Sequence, residues 1–132
     1  MALWHALVRG SASSVYELVA ELDLSLTQMK TLHALADADV EMSVKDLADR
    51  LALSLPGTSR TVDALLRRGW LERREDERDR RVKRVGITPA GRDIVKRIDA
   101  ARLVGIEKYT ASLTPEQRSV LSSALSKLPH HS

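Results

Sequence analysis

Between Ser43 and Pro89, two helical patterns and a pair of strands follow one another with almost no chain between them, and few folds accept that order. The first pattern runs from Val44 to Ala52 and buries Val44, Leu47, Ala48 and Leu51. Leu53 and Ser54 make a turn. The second pattern runs from about Leu55 to Arg68 and stops at Gly69. Two β-type runs follow, Trp70–Glu75 and Arg81–Ile87, joined by the charged tip Asp76-Glu77-Arg78-Asp79-Arg80. Local signals agree with this division. Ser43, with Asp46 three residues on, and Ser54 stand where a hydroxyl accepts from the free N–H groups of a first helical turn. Pro56 falls in such a turn, where its missing N–H costs nothing. Gly69 suits the left-handed position that ends a helix. In the second pattern Thr58, Val62, Leu65 and Leu66 share one face. Pro56, Arg60, Asp63 and Arg67 share the other, with Asp63 and Arg67 at the spacing of an ion pair.

Two helices with a tight turn, then a hairpin, is the order of a winged helix-turn-helix, which can place a helix in the major groove of DNA. The charges point the same way. Residues 60–102 hold 14 Lys/Arg and 8 Asp/Glu, while the whole chain carries a net charge of only +3. A basic segment flanked by acidic ones is the footprint of a polyanion binder, since local Lys/Arg density displaces counterions from phosphates. Residues 73–84 hold seven basic and four acidic side chains, a repulsion that phosphates would relieve. Gly57 beside Pro56 favours close backbone approach at a helix N-terminus, where N–H groups and the dipole meet phosphate.

A length of 132 residues is enough for one core-bearing protomer. Without Cys there is no disulfide framework, thiolate zinc site or thiol sensor. No apolar run approaches the roughly 18 residues of a membrane span, and the N-terminus lacks the basic region of a secretory signal. A cytoplasmic location is therefore expected, without membrane contact. With no Phe, two Trp and two Tyr, base stacking is a poor mode of binding, which argues against a single-strand reader.

The flanks are helical. Leu3, Leu7, Ser11, Val15, Leu18 and Leu22 recur at spacings of three and four over Met1–Leu22. Thr27 is expected to cap a helix from Gln28 to about Asp37, in which His33 is a packed or solvated residue rather than a ligand. A short strand is expected near Glu41 and Met42. Thr88 and Pro89 open a long helix to about Ala111, with Ile98, Val104, Ile106 and Tyr109 in register. Thr114-Pro115-Glu116-Gln117 repeats the start signal, and Val120, Leu121, Ala124, Leu125 and Leu128 line the last helix until Pro129. The tail 129–132, with His130 and His131, is a weak metal signal, and no metal site is assigned. The fold class expected is mainly α with a small β-hairpin wing (α+β).

The stretch from Leu51 to Leu71, LALSLPGTSRTVDALLRRGWL, resembles the recognition-helix segment of MarR-family transcriptional regulators. The wing Asp76-Glu77-Arg78-Asp79-Arg80-Arg81 and the segment Ile87-Thr88-Pro89-Ala90-Gly91-Arg92 are similar to that family's wing and next helix. Leu26-Thr27-Gln28-Met29 and Leu47-Ala48-Asp49-Arg50-Leu51 also fit, so the resemblance covers about residues 3–128. It implies one protomer over 1–132, with dimerisation helices at 1–22 and 88–128, a winged helix-turn-helix at 27–87 and a tail at 129–132. The implied assembly is a homodimer on a pseudo-palindromic operator in double-stranded DNA. Arg78 is implied to enter or border the minor groove, with Asp76, Asp79 and Arg81 bracing the wing. The family often has Ser or Thr where this chain has Gly57, and aliphatic residues at Thr58 and Thr61. Many relatives also take a small aromatic effector. Trp4, His5, Tyr16 and Trp70 are conceivable lining residues, more readily read as core or interface, and no ligand site is assigned.

The residues expected to meet DNA are Ser43, Ser54, Pro56, Gly57, Ser59, Arg60, Arg67, Arg78, Arg80 and Arg81, with Asp76 and Asp79 bracing the wing. The expected function is a homodimeric repressor relieved by a small molecule. The alternative is a winged helix used only for protein contacts. No nucleophile–base pair, metal-ligand spacing or phosphate-cradling Gly loop supports an enzyme, and no cofactor is expected.

Overall fold

The computed structural model describes residues 2–129, except for the side chains of residues 2–4, 6–8, 10 and 11. The elements in order are α1 (Ala2–Glu21), α2 (Leu26–Ala38), β1 (Met42–Ser43), α3 (Val44–Leu51), α4 (Leu55–Arg67), β2 (Leu71–Glu75), β3 (Lys83–Ile87), α5 (Pro89–Ala111) and α6 (Pro115–Ser126). The backbone forms two compact units. One is Leu18–Asp99. The other comprises the earlier part of α1, and the chain from Ala100 onward.

The unit Leu18–Asp99 holds the core. Leu32 and Leu35 from α2, Leu47 from α3, Val62 and Leu65 from α4, Leu71 from β2, Val85 from β3 and Ile98 from α5 are buried together. The helical spacing of these side chains puts one face of each helix inward. Thr58 is buried as well, and its hydroxyl donates to Ser54 O at 2.9 Å, so the polar atom is satisfied inside the core. The sheet is antiparallel in the order β1-β3-β2. Leu71 pairs with Ile87 and Glu75 with Lys83, so the hairpin is in register from its base to its tip.

Chain ends and caps follow local chemistry. Ser43, Ser54 and Thr114 cap α3, α4 and α6, the last through a complete capping box with Gln117. α2 starts two residues earlier than expected. Ser25, not Thr27, is its cap: Ser25 Oγ accepts from Gln28 N at 3.1 Å, and Gln28 Oε1 accepts from Ser25 N at 3.0 Å. The reciprocal pair satisfies two N–H groups where a Thr27 cap would satisfy one. The wing strands are shorter than expected, starting at Leu71 and Lys83, because residues 76–82 fold into their own hydrogen-bonded tip. Asp63 does not pair with Arg67. It takes Arg73 from β2 instead, at 2.7 Å.

In the other unit α6 ends at Ser126, so Leu128 lies beyond it, and Val120, Leu125 and Leu128 are exposed. Leu103, Val104 and Ile106 of α5 are exposed too. The histidine pair of the tail lies outside the described residues. His33 is half-buried, with one ring nitrogen 3.0 Å from Met29 O and the other 3.1 Å from Asp99 Oδ1.

Candidate nucleic-acid interface

The start of α4 is built around Ser54. Its Oγ accepts from Gly57 N at 3.2 Å, and a Cβ at Gly57 would stand 2.8 Å from that oxygen. Gly57 therefore also leaves room for the cap. Pro56 is exposed within the first turn, Ser59 is half-buried, and Arg60 and Arg67 point to solvent. A groove of about 360 Å³ runs beside this start. Ser25 and Gln28 wall it on one side, Ser54, Gly57, Arg60 and Thr61 on the other. The part played by Ser25 and Gln28 went unseen in the sequence, since nothing local relates the starts of α2 and α4. Ser43 is half-buried, and its hydroxyl is held by Asp46: Ser43 Oγ accepts from Asp46 N at 3.0 Å and donates to Asp46 Oδ2 at 2.7 Å.

The wing tip is organised by Asp76. Its Oδ1 accepts from the backbone N–H of Arg78 at 2.8 Å and of Asp79 at 3.0 Å, and its Oδ2 accepts from Arg84 Nε at 2.8 Å. A short carboxylate that bonds the backbone two and three residues on makes a turn. The Arg84 guanidinium first, and then the two backbone N–H groups, hold the Asp76 carboxyl at about 2, against an ordinary 3.8. The same pair pushes Arg84 up. Asp79 binds Arg81 through both carboxylate oxygens, at 3.1 and 3.2 Å, and is itself lowered, by the Arg81 side chain before its backbone N–H. The Arg81 side chain is 92% exposed, so this ion pair is screened and easily exchanged.

The basic residues of the hairpin thus divide into two sets. Arg73 pairs with Asp63, Arg74 with Glu41, Arg81 with Asp79, Lys83 with Glu75 and Arg84 with Asp76. The Arg74–Glu41 contact, at 2.5 Å to Oε2, is an ion pair without hydrogen-bond geometry, which leaves that buried oxygen otherwise unpartnered. Two of these acids, Glu41 and Asp63, come from outside the hairpin. They relieve part of the repulsion that the local count of charges had left to phosphates. Arg78 and Arg80 on the wing, like Arg60 and Arg67 on α4, make no ion pair among the described residues and are exposed. Among the described residues there is no cluster of three or more His, Asp or Glu that could hold a metal, and no helix is long and apolar enough to cross a membrane.

A sequence model of the MarR family matches residues 22–82, which hold the helix-turn-helix and the wing tip just described. The winged-helix stretch of the chain is thus similar to the MarR family. The chain is 29% identical over 108 residues to the helix-turn-helix transcriptional regulator YfiV of Bacillus subtilis (strain 168), covering 82% of this chain and 67% of that one. Its fold is that of a Staphylococcus aureus MepR mutant solved bound to an oligodeoxyribonucleotide (TM-score 0.81, 22% identity, 96% and 92% of the two chains covered). MepR bound to ethidium bromide is also similar (TM-score 0.72, 21% identity, 96% and 91% covered). Apo MarR of Escherichia coli matches with a TM-score of 0.67 at 25% identity, over 97% and 95% of the two chains. The family and the relative that this chain resembles are transcriptional regulators, not enzymes.

Proposed function

We propose that this chain acts as a homodimeric repressor on a pseudo-palindromic operator and is released by a small aromatic ligand. The observation that carries the DNA part is the division of the arginines. Arg60 and Arg67 on α4 and Arg78 and Arg80 on the wing are free and exposed, while their basic neighbours are neutralised within the protein. Free guanidinium groups on a helix face suit base edges and phosphates in a major groove. Those on a hairpin tip suit an adjacent narrow minor groove. Ser54, Pro56, Gly57 and Ser59 form the leading turn beside the backbone, with Ser43 at the start of α3 and Arg81, loosely tied, at the wing. Dimerisation is supported by the uncovered apolar side chains of α5 and α6. Ligand release is supported by the ethidium complex of MepR.

Selection of bound fragments from genomic DNA tests the reading, followed by affinity against salt on the selected duplex and on a scrambled one. Arg60→Ala is expected to cost about 1–3 kcal/mol on the selected duplex and to relax preference at one symmetric pair of positions. Arg78→Ala is expected to weaken both duplexes alike and to lower the salt slope by about 2 per dimer. An unchanged slope and affinity in Arg78→Ala would remove the wing from the interface. Absence of any DNA binding at low salt would leave a winged helix for protein contacts alone.

A further inference from the structure

Arg68 follows the last residue of α4, yet its charge is directed away from the exposed arginine face. It is the C-cap of α4, and its guanidinium reaches the end of α1: Nη1 donates to Asp23 O at 3.2 Å and Nη2 donates to Leu22 O. These carbonyls close α1, where no further turn supplies donors and the helix dipole is negative. Asp23 stands there in the left-handed region, φ 48°, and the chain turns into α2 two residues later. The other face of the same guanidinium lies over the Trp70 ring, 4.0 Å from its centroid. Trp70 is half-buried against the core and leads directly into β2, the first strand of the wing. A single planar group therefore ties the end of α1, the end of α4 and the entry to the wing.

We propose that Arg68 is a positioning residue for DNA reading: it sets the angle between recognition helix and wing by clamping both to the carbonyl end of α1. The inference rests on the DNA-binding reading above. Only a guanidinium can donate from two nitrogens to adjacent carbonyls while offering its face to an indole; a lysine ammonium is a point charge that does one or the other. Specific recognition needs base edges met within a fraction of an ångström, whereas non-specific attraction to phosphates tolerates a change of angle. Loss of the clamp should therefore fall on specificity, with phosphate contacts intact.

The test uses full-length protein, the duplex recovered by selection and a scrambled duplex of the same length. Arg68→Lys keeps charge and stem, and Arg68→Met removes the charge. Both are expected to lose about tenfold on the selected duplex, the scale of one charge-assisted hydrogen bond. Affinity for the scrambled duplex and the salt slope on the selected one should stay at parental values, with helix content and sedimentation unchanged. If Arg68→Met does not fold, Arg68→Lys alone carries the comparison. Parental affinity in Arg68→Lys would show that charge and not the clamp matters, and would overturn the proposal. An equal loss on both duplexes, with a slope shallower by about 1 per arginine, would make Arg68 a phosphate contact and overturn it as well. Failure of the parental protein to bind either duplex would instead reject the DNA-binding reading.

Discussion

At the scale of single residues, the wing tip depends on one ionised carboxylate. Asp76 closes the turn through the N–H groups of Arg78 and Asp79 and fixes Arg84 on β3. Its carboxyl is lowered in the folded chain to about 2 from the ordinary 3.8. A lowered carboxylate contributes stability that is fully present above the unfolded value and is lost as pH falls through the folded one. The contribution of Asp76 should therefore be constant above about pH 5 and disappear between about pH 4 and pH 2. Thermal melts of Asp76→Asn and the parent, taken across this range, should differ at neutral pH and converge at the acid end. A difference that persists unchanged near pH 2 would mean that Asn, which can still accept from the two N–H groups, loses something other than charge. Arg78 benefits indirectly, since its backbone is held by Asp76 while its side chain stays free.

At the scale of elements, the junction between α4, β2 and α5 is closely packed. Thr88 N donates to Trp70 O at 3.1 Å, and Thr88 Oγ1 donates to Gly69 O at 2.7 Å while accepting from Gly91 N at 3.1 Å. The first turn of α5 is thereby pressed onto the turn that ends α4. A Cβ at Gly91 would stand 2.2 Å from Trp70 O and 2.8 Å from Ile87 Cγ1. One obstacle is backbone, which cannot rotate away. At Gly69 the space is open, but φ is +73°, where a side chain is strained. Gly69→Ala is expected to cost about 1–2 kcal/mol from the left-handed conformation alone. Gly91→Ala should cost more, about 3 kcal/mol, as overpacking against fixed atoms. Urea unfolding of both variants checks the order; equal costs would mean that α5 can slide off the turn.

At the scale of the whole molecule, the two units differ in how much they bury. The winged-helix unit has a closed core, whereas Leu103, Ile106, Val120, Leu125 and Leu128 of the other expose between 45% and 70% of their surface. Apolar side chains left open at such density look for a second surface, and a twofold dimer is the commonest way to provide one. Sedimentation at micromolar protein should show a dimer. Leu125→Glu should shift it towards monomer and weaken operator binding, because one protomer presents a single half-site. Footprints of the parent should show inverted half-sites roughly 10 base pairs apart. A stable parental monomer, or a single asymmetric half-site at saturation, would break the dimeric reading.

What the sequence determined by itself was carried by near neighbours. Ser43, Ser54 and Thr114 cap because a hydroxyl reaches N–H groups three residues on. Gly69 ends its helix by its own backbone freedom. The inward faces of α3 and α4 follow from helical spacing, and the family match covers the helix-turn-helix that these elements form. What only tertiary structure decided was which charges are spent. Asp63 and Arg67 have the spacing of a helical ion pair, yet β2 brings Arg73 within 2.7 Å of Asp63 and takes it. Glu41, 33 residues before Arg74 in the chain, is beside it because β1 joins the sheet on β3. Arg68 was one more base in a basic run until the end of α1 arrived under it. Charge counts along a sequence sum what is present; pairing depends on distances of a few ångströms, and those are set only when helices and strands from distant segments pack together.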